Sequence, residues 1–382
     1  MQKIAIINQN TAVVAQLLKS LTSLNQKMFR YKISLIVLLC FSCGVYGQTN
    51  TDECECVPFY LCVNGTINTN GVGVIDIRIK DECDDYLEIC CNKNDTTAVT
   101  RSPSKVIDKG CGFRNPDGVG YRIIGDTNNE AQFGEFPWMV AVFYKSKKSD
   151  KHLYKCGGSL IHPQVVLTAA HCVSAAGSFK IRAGEWDSQT TREIFSYQDR
   201  TVVSVVVHSG FVRKNLQNDV ALLFLDTPVD IAPHVNVACL PPQGAVEVSS
   251  ECFVTGWGTE QFENPDVYQV ILKKIELPVI GRDRCQSNFR KTRLGNFFKL
   301  HRSFMCAGGI EGKDACTGDG GGPLVCPIAG QEYRYHQVGI VSWGIGCGTK
   351  DVPGAYVDVA YFRKWIDDEL TKKNVPISRY SY

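Results

Sequence analysis

Beyond about residue 123 the chain runs in short apolar stretches rich in Val, Ile and Leu, at 140–144, 165–168, 202–207 and 221–225. Gly and Pro punctuate them. Such runs, bounded by turn residues, predict an all-β barrel or sandwich rather than alternating strands and helices. Near the end the spacing changes. Tyr361, Phe362, Trp365, Ile366 and Leu370 recur at the helical interval, so an amphipathic helix closes the fold. A region of about 250 residues is ample for a large core.

The first 47 residues follow another pattern. Arg30 and Lys32 precede an apolar run at 33–43, and Val45 and Gly47 follow it. Charge, apolar run and small residues in that order predict a leader with a secretory signal over residues 1–47. About 11 apolar residues cannot cross a ~30 Å hydrocarbon core, so no membrane span is expected in the mature form. Met28 offers a second start.

Composition adds a compartment. The chain has 382 residues, 44% hydrophobic and 21% charged, which suits two or more globular units. A net charge of +2 gives no support for a nucleic-acid partner. The 18 cysteines point to an oxidising compartment and a disulfide framework. Loss of residues 1–47 removes Cys40, Cys43 and five basic residues with no acids, which leaves 16 cysteines and a net charge of −3.

Six of those cysteines, Cys54, Cys56, Cys62, Cys83, Cys90 and Cys91, crowd into residues 54–91. So short a module needs staples, and three disulfides are expected; spacing alone leaves fifteen pairings open. Adjacent Cys90 and Cys91 must reach different partners. No histidine lies in the module, which disfavours zinc. Residues 92–122 read as a linker, and Asn64 and Asn94 open glycosylation sequons. Residues 373–382 form a tail after the larger domain, 123–372.

Three strings carry chemistry when taken together. They are Leu167-Thr-Ala-Ala-His171-Cys172, Asn218-Asp219-Val-Ala-Leu-Leu223 and Asp314-Ala-Cys316-Thr-Gly318-Asp319-Gly320-Gly-Gly322-Pro323. Each alone has a bland reading as core histidine, turn acid or tight turn. In this order, with Trp257-Gly258 and Ser342-Trp343-Gly344, the set resembles the trypsin-like serine proteases. That resemblance implies a double β-barrel with its site between barrels, His171 as general base and Asp219 as the acid that orients it. The position of the nucleophilic serine falls on Gly320. Acyl transfer needs an oxygen or sulfur for the histidine to deprotonate, and glycine has neither. Loss of the serine from such a triad costs about 10⁶ in turnover, roughly 8 kcal/mol of barrier.

The resemblance implies further sites. Gly318 and Gly320 match oxyanion-hole donors. Asp314, with Gly344 and Gly354 as walls, matches a pocket for Arg or Lys, retained either as a working binder or as an unused inheritance. Arg122 and Ile123 resemble an activation cut whose freed amine would pair with Asp319. Asp126 stands where a second glycine is usual, so cleavage in the linker or small module is the other reading. The implied disulfides are Cys111 with Cys239, Cys156 with Cys172, Cys252 with Cys326, Cys285 with Cys306, and Cys316 with Cys347. Glu185, Asp187 and Glu193 sit where some family members bind calcium, a loose match of the right oxygen chemistry. No other cofactor is implied.

The small module resembles a clip domain, through Cys54-Glu-Cys56-Val-Pro-Phe-Tyr-Leu-Cys62 and Cys90-Cys91. That implies pairing of Cys54 with Cys90, Cys56 with Cys83, and Cys62 with Cys91. A clip domain before a serine-less protease domain resembles the arthropod clip-domain serine protease homologues. The resemblance implies a cleaved cofactor in a prophenoloxidase (melanisation) cascade, secreted into a haemolymph-like fluid, with prophenoloxidase or a cascade protease as partner. A microbial-recognition or adhesion protein is the alternative, and an active protease is disfavoured.

Charge is uneven. Residues 54–91 carry a net −5 and residues 282–302 a net +6. Solvated loops explain this, or the acidic module docks on a basic face, including between copies in a homo-oligomer formed after cleavage. Phe289, Phe297, Phe298 and Phe304 interleave the basic stretch, and their packing beneath the loop between Cys285 and Cys306 is expected over anchoring of a partner.

Overall fold

The computed structural model describes residues 109–120 and 129–382, apart from 149, 191–192, 248, 260–268 and 317, and the backbone alone at 54–58, 74–76, 88–92 and 122–124. The leader, both sequons and the module's disulfide pairings lie outside the described residues.

In the small module, β1 (Cys54–Pro58) pairs antiparallel with β3 (Glu88–Asn92), with Cys56 opposite Cys90 and Glu55 opposite Cys91. Strand β2 (Val74–Asp76) runs parallel to β4 (Arg122–Ile124), with Ile75 opposite Ile123. The segment that resembles an activation cut is therefore hydrogen-bonded to the module.

Six strands close the first barrel: β5 (Met139–Ser146), β6 (Leu153–His162), β7 (Val165–Thr168), β8 (Gly177–Ala183), β9 (Gln198–Val207) and β10 (Ala221–Leu225). Their order is β10-β7-β6-β5-β8-β9. The unbroken apolar runs of β7 and β10 are explained by burial of every residue in both strands. Leu160, Val166, Leu167, Ile181 and Leu222 fill the interior.

The second barrel is a seven-stranded sheet, ordered β12-β11-β15-β16-β17-β14-β13. It comprises β11 (Cys252–Gly256), β12 (Lys273–Leu277), β13 (Val279–Ile280), β14 (Phe304–Gly308), β15 (Pro323–Pro327), β16 (Tyr335–Trp343) and β17 (Pro353–Asp358). Val254, Leu277, Leu324 and Tyr356 form its core. Helices are few: α1 is one turn (Ala170–Val173), α2 spans Arg282–Arg290, and α3 spans Val359–Lys372. Asp358 caps α3 by accepting the Tyr361 N–H. Phe362, Ile366 and Leu370 turn its apolar face onto the first barrel's cluster. The fold is thus the trypsin-like all-β double barrel with a C-terminal helix that the sequence implies. All five disulfides proposed for this part of the chain are formed.

Two assigned connecting segments are built into the domain. The stretch from Cys111, placed by sequence in the linker, lies along the second barrel. Gly112 donates to Val237 O at 2.8 Å, and its own oxygen accepts the Tyr335 N–H at 2.7 Å. Arg114 pairs with buried Glu135 and stacks over Phe253 at 4.2 Å. The tail is fitted too: Tyr380 is fully buried, its hydroxyl donating to Asp367 at 2.7 Å and its carbonyl accepting the Leu240 N–H.

Gly112 has φ +80°, and a Cβ there would collide with the Tyr335 carbonyl and the Cys239 sulfur. Gly112→Ala is expected to cost about 2 kcal/mol or more and to lower Tm by roughly 4–8 °C, as followed by calorimetry. An unchanged Tm would refute this account of the strap.

Candidate functional site

His171 sits in α1, the turn that follows β7, and Asp219 enters β10, the neighbour of β7. The short loops of one barrel therefore bring the pair together. Asp219 is fully buried. One carboxylate oxygen accepts the His171 backbone N–H at 2.7 Å, and the other meets His171 Nδ1 at 2.7 Å. A carboxylate only accepts, so Nδ1 carries the proton and Nε2 faces the cleft with its lone pair. Ser342 Oγ donates to the same Asp219 oxygen at 2.6 Å. Sequence reasoning noted Ser342 without this role, because its partner lies 123 residues away.

The glycine-rich loop comes from the second barrel. Gly157 of β6 donates its N–H to Gly320 O at 2.9 Å, and Tyr154 donates its hydroxyl to Gly318 O at 2.9 Å. A Cβ on Gly157 would lie 2.9 Å from Gly322 Cα, so glycine permits this approach. Among the described residues the Gly318 and Gly320 N–H groups have no hydrogen-bond acceptor. A Cβ on Gly320 would stand 2.8 Å from His171 Nε2 and 3.2 Å from its Cε1. The imidazole leans over the glycine into the space a side chain would take. Cys156 and Cys172 crowd the same ring, but they are joined to each other and are not metal ligands.

A cavity of about 220 Å³ opens beside this point, lined by His171, Asp314, Gly318, Gly320, Gly344 and Gly354 among others. One Asp314 oxygen accepts from the Gly348 N–H at a long 3.3 Å. The other is buried with no partner, as is the Tyr356 hydroxyl. Burial pushes the Asp314 carboxyl up to about 6, and Asp319 adds to the rise. Tyr356 and Gly346 also line this pocket and were missed by sequence, which holds no local signal for them.

Known families and proteins match this sequence. The trypsin family profile matches residues 126–366, and the profile "Serine protease Clip domain PPAF-2" matches residues 46–92. Phenoloxidase-activating factor 2 of Galleria mellonella is 54% identical over 281 residues, which cover 72% of this chain and 93% of that protein. This chain belongs to the clip-domain serine protease homologues. Inactive CLIP domain-containing serine protease A8 of Anopheles gambiae is 40% identical, over 84% of this chain and 90% of its own length. Protein masquerade of Drosophila melanogaster is 36% identical over 66% of this chain, which covers 24% of that longer protein.

The remaining proposed sites of this clip-domain homologue fall as follows. In this uncut chain Asp319 faces backbone donors. Its carboxylate accepts the N–H groups of Gly258 at 2.8 Å and Cys316 at 2.9 Å, and burial raises it to about 6. Glu185, Asp187 and Glu193 are all buried in one loop after β8. Arg182 pairs with Glu185 at 2.9 Å, and the Asp187 N–H donates to Glu193 at 3.1 Å. Burial lifts Glu193 to about 7, with Glu185 and Asp187 adding repulsion. Of the four phenylalanines, Phe289, Phe298 and Phe304 pack around Trp343, at ring distances of 4.9, 6.2 and 5.7 Å. Phe297 departs from the packing expectation and is 97% exposed. No helix among the described residues is long and apolar enough to cross a membrane.

The contact over Gly320 gives a test. Gly320→Ser must displace the imidazole by a few tenths of an ångström before its hydroxyl reaches Nε2. The variant is expected to react with a serine-directed phosphonate, but at least about tenfold more slowly than trypsin, since small misplacements of catalytic groups carry large rate costs. Labelling at trypsin's rate would show that the ring is not held in this position.

Proposed function

We propose that this chain is a secreted, catalytically silent homologue that acts, after proteolytic processing, as a cofactor in a prophenoloxidase-type cascade. The observation that carries this reading is Gly320 beneath His171. Acid, base and orienting serine stand bonded in line, and position 320 offers them no nucleophile. Similarity to a phenoloxidase-activating factor and to relatives named inactive supports the cascade role. The signal-like leader and the disulfide framework support secretion. The partner is prophenoloxidase or a cascade protease.

The Asp314 pocket serves binding without turnover in this reading. A partner's Arg or Lys side chain would satisfy the carboxylate oxygen that is now buried alone. Asp314 holds a proton below pH about 6, so its attraction for a cation is present above that pH and lost below it. Benzamidine is expected to bind more tightly at pH 7.5 than at pH 5, and Asp314→Asn to abolish that dependence, as followed by calorimetric titration. Equal affinity at both pH values would remove the pocket from the proposal.

The Glu185, Asp187 and Glu193 loop is proposed to take calcium. Three carboxylates are buried in that one loop, Glu185 is paired with Arg182, and Glu193 is raised by burial and its acidic neighbours. A carboxyl with a raised folded value contributes stability at low pH that is lost as pH rises through about 7. Calcium is therefore expected to raise Tm more at pH 8 than at pH 5 in a chelator-stripped sample, and no calcium response at pH 8 would refute the site.

Reconstitution tests the function itself. The processed protein, prophenoloxidase and its activating protease are combined, and phenoloxidase activity is measured with and without this chain. Severalfold stimulation is expected, with no phosphonate labelling of the chain. Absence of stimulation would sink the cofactor role, and stoichiometric labelling would sink the silent one.

A further inference from the structure

We propose that the cavity beside Gly320 binds the free carboxyl end of a cleaved peptide, one that finishes in Arg or Lys, in preference to an uncut chain. This rests on the reading of the Asp314 pocket given above and names its ligand class. Four features meet in that one cavity. Asp314 Oδ1 and Tyr356 Oη are buried at it without partners, and they suit the side-chain cation. The Gly318 and Gly320 N–H groups, also without acceptors among the described residues, suit an anion.

An uncut peptide brings a neutral carbonyl to those donors. A cleaved end brings a carboxylate, which makes stronger, charge-assisted hydrogen bonds to both N–H groups. It also brings a second oxygen. In a protease the serine side chain crowds that oxygen; here position 320 carries none, and the imidazole edge of His171 lines the gap. The ring already donates Nδ1–H to Asp219, so its bare Nε2 meets the second oxygen by taking up a proton as the carboxylate binds. The groups that face the ring are Asp219, the bonded Cys156 and Cys172 sulfurs, the latter at 3.5 Å, and Gly320. No bond is made or broken. Every cut by an Arg- or Lys-directed protease creates such an end, so the pocket distinguishes a processed neighbour from an intact one.

The test uses the processed full domain and three fluorescein-labelled hexapeptides in anisotropy titrations: one ending in Arg with a free carboxylate, the same peptide as a carboxamide, and the same peptide extended by Gly-Gly. The free acid is expected to bind about tenfold or more tightly than either other form, the yield of one or two charged hydrogen bonds. Gly320→Ala, which places a methyl group in the gap, is expected to erase that preference, so that acid and carboxamide bind the variant alike. Asp314→Asn is expected to weaken all three peptides. Equal binding of acid and carboxamide, both dependent on Asp314, overturns the carboxylate reading and leaves the basic pocket standing. Binding that ignores replacement of the terminal Arg by norleucine overturns the pocket and this proposal with it. Should Gly320→Ala fail to fold, the three peptides on the unmodified protein decide the matter.

Discussion

One backbone contact joins the two barrels where chemistry would occur: the Gly157 N–H on the Gly320 carbonyl. Much else follows from it. Gly157 follows Cys156, and Cys156 is bonded to Cys172, the neighbour of His171. A single stretch of β6 thus sets the glycine loop on one side and the histidine turn on the other. The close approach needs no side chain at either glycine, and buried backbone hydrogen bonds are costly to leave unmade. The frame of the site is held by backbone and disulfide. It does not depend on a nucleophile, so a glycine at 320 leaves the frame standing.

The three aspartates near the cleft show how that frame distributes charge. Asp219 is fully buried and receives three hydrogen bonds, from the His171 N–H, His171 Nδ1 and Ser342 Oγ. Asp319 receives two backbone N–H groups. Asp314 has one long bond on one oxygen and nothing on the other. A buried acceptor without a partner costs roughly 1–3 kcal/mol. That deficit sits at the one aspartate of the three whose cavity also holds His171 and Gly320. The protein is least satisfied where a ligand can enter.

What the sequence made legible was local. Apolar runs at 165–168 and 221–225 became the buried strands β7 and β10, because unbroken apolar character requires burial on both faces. His171, Asp219 and Gly320 were recognisable from short strings that specify turns as well as chemistry. Contacts across long separations left no such trace. Ser342 carries no mark of its bond to Asp219, and Tyr380 carries none of its burial beneath Leu240 and Asp367. The basic stretch at 282–302 was clear as charge, but charge and aromatic content could not separate Phe298, packed on Trp343, from its exposed neighbour Phe297. That difference is set by the loop's geometry, which composition does not encode.

The disulfide between Cys111 and Cys239 sorts the possible cuts by connectivity. A nick in the polar stretch before residue 111 divides the chain into two molecules, unless some further bond spans the gap. A nick after Arg122 leaves everything upstream tethered through Cys111, and the product remains a single covalent object with one more pair of ends. Two proteases acting a dozen residues apart would thus produce different species from the same precursor, one shedding its acidic module and the other carrying it along.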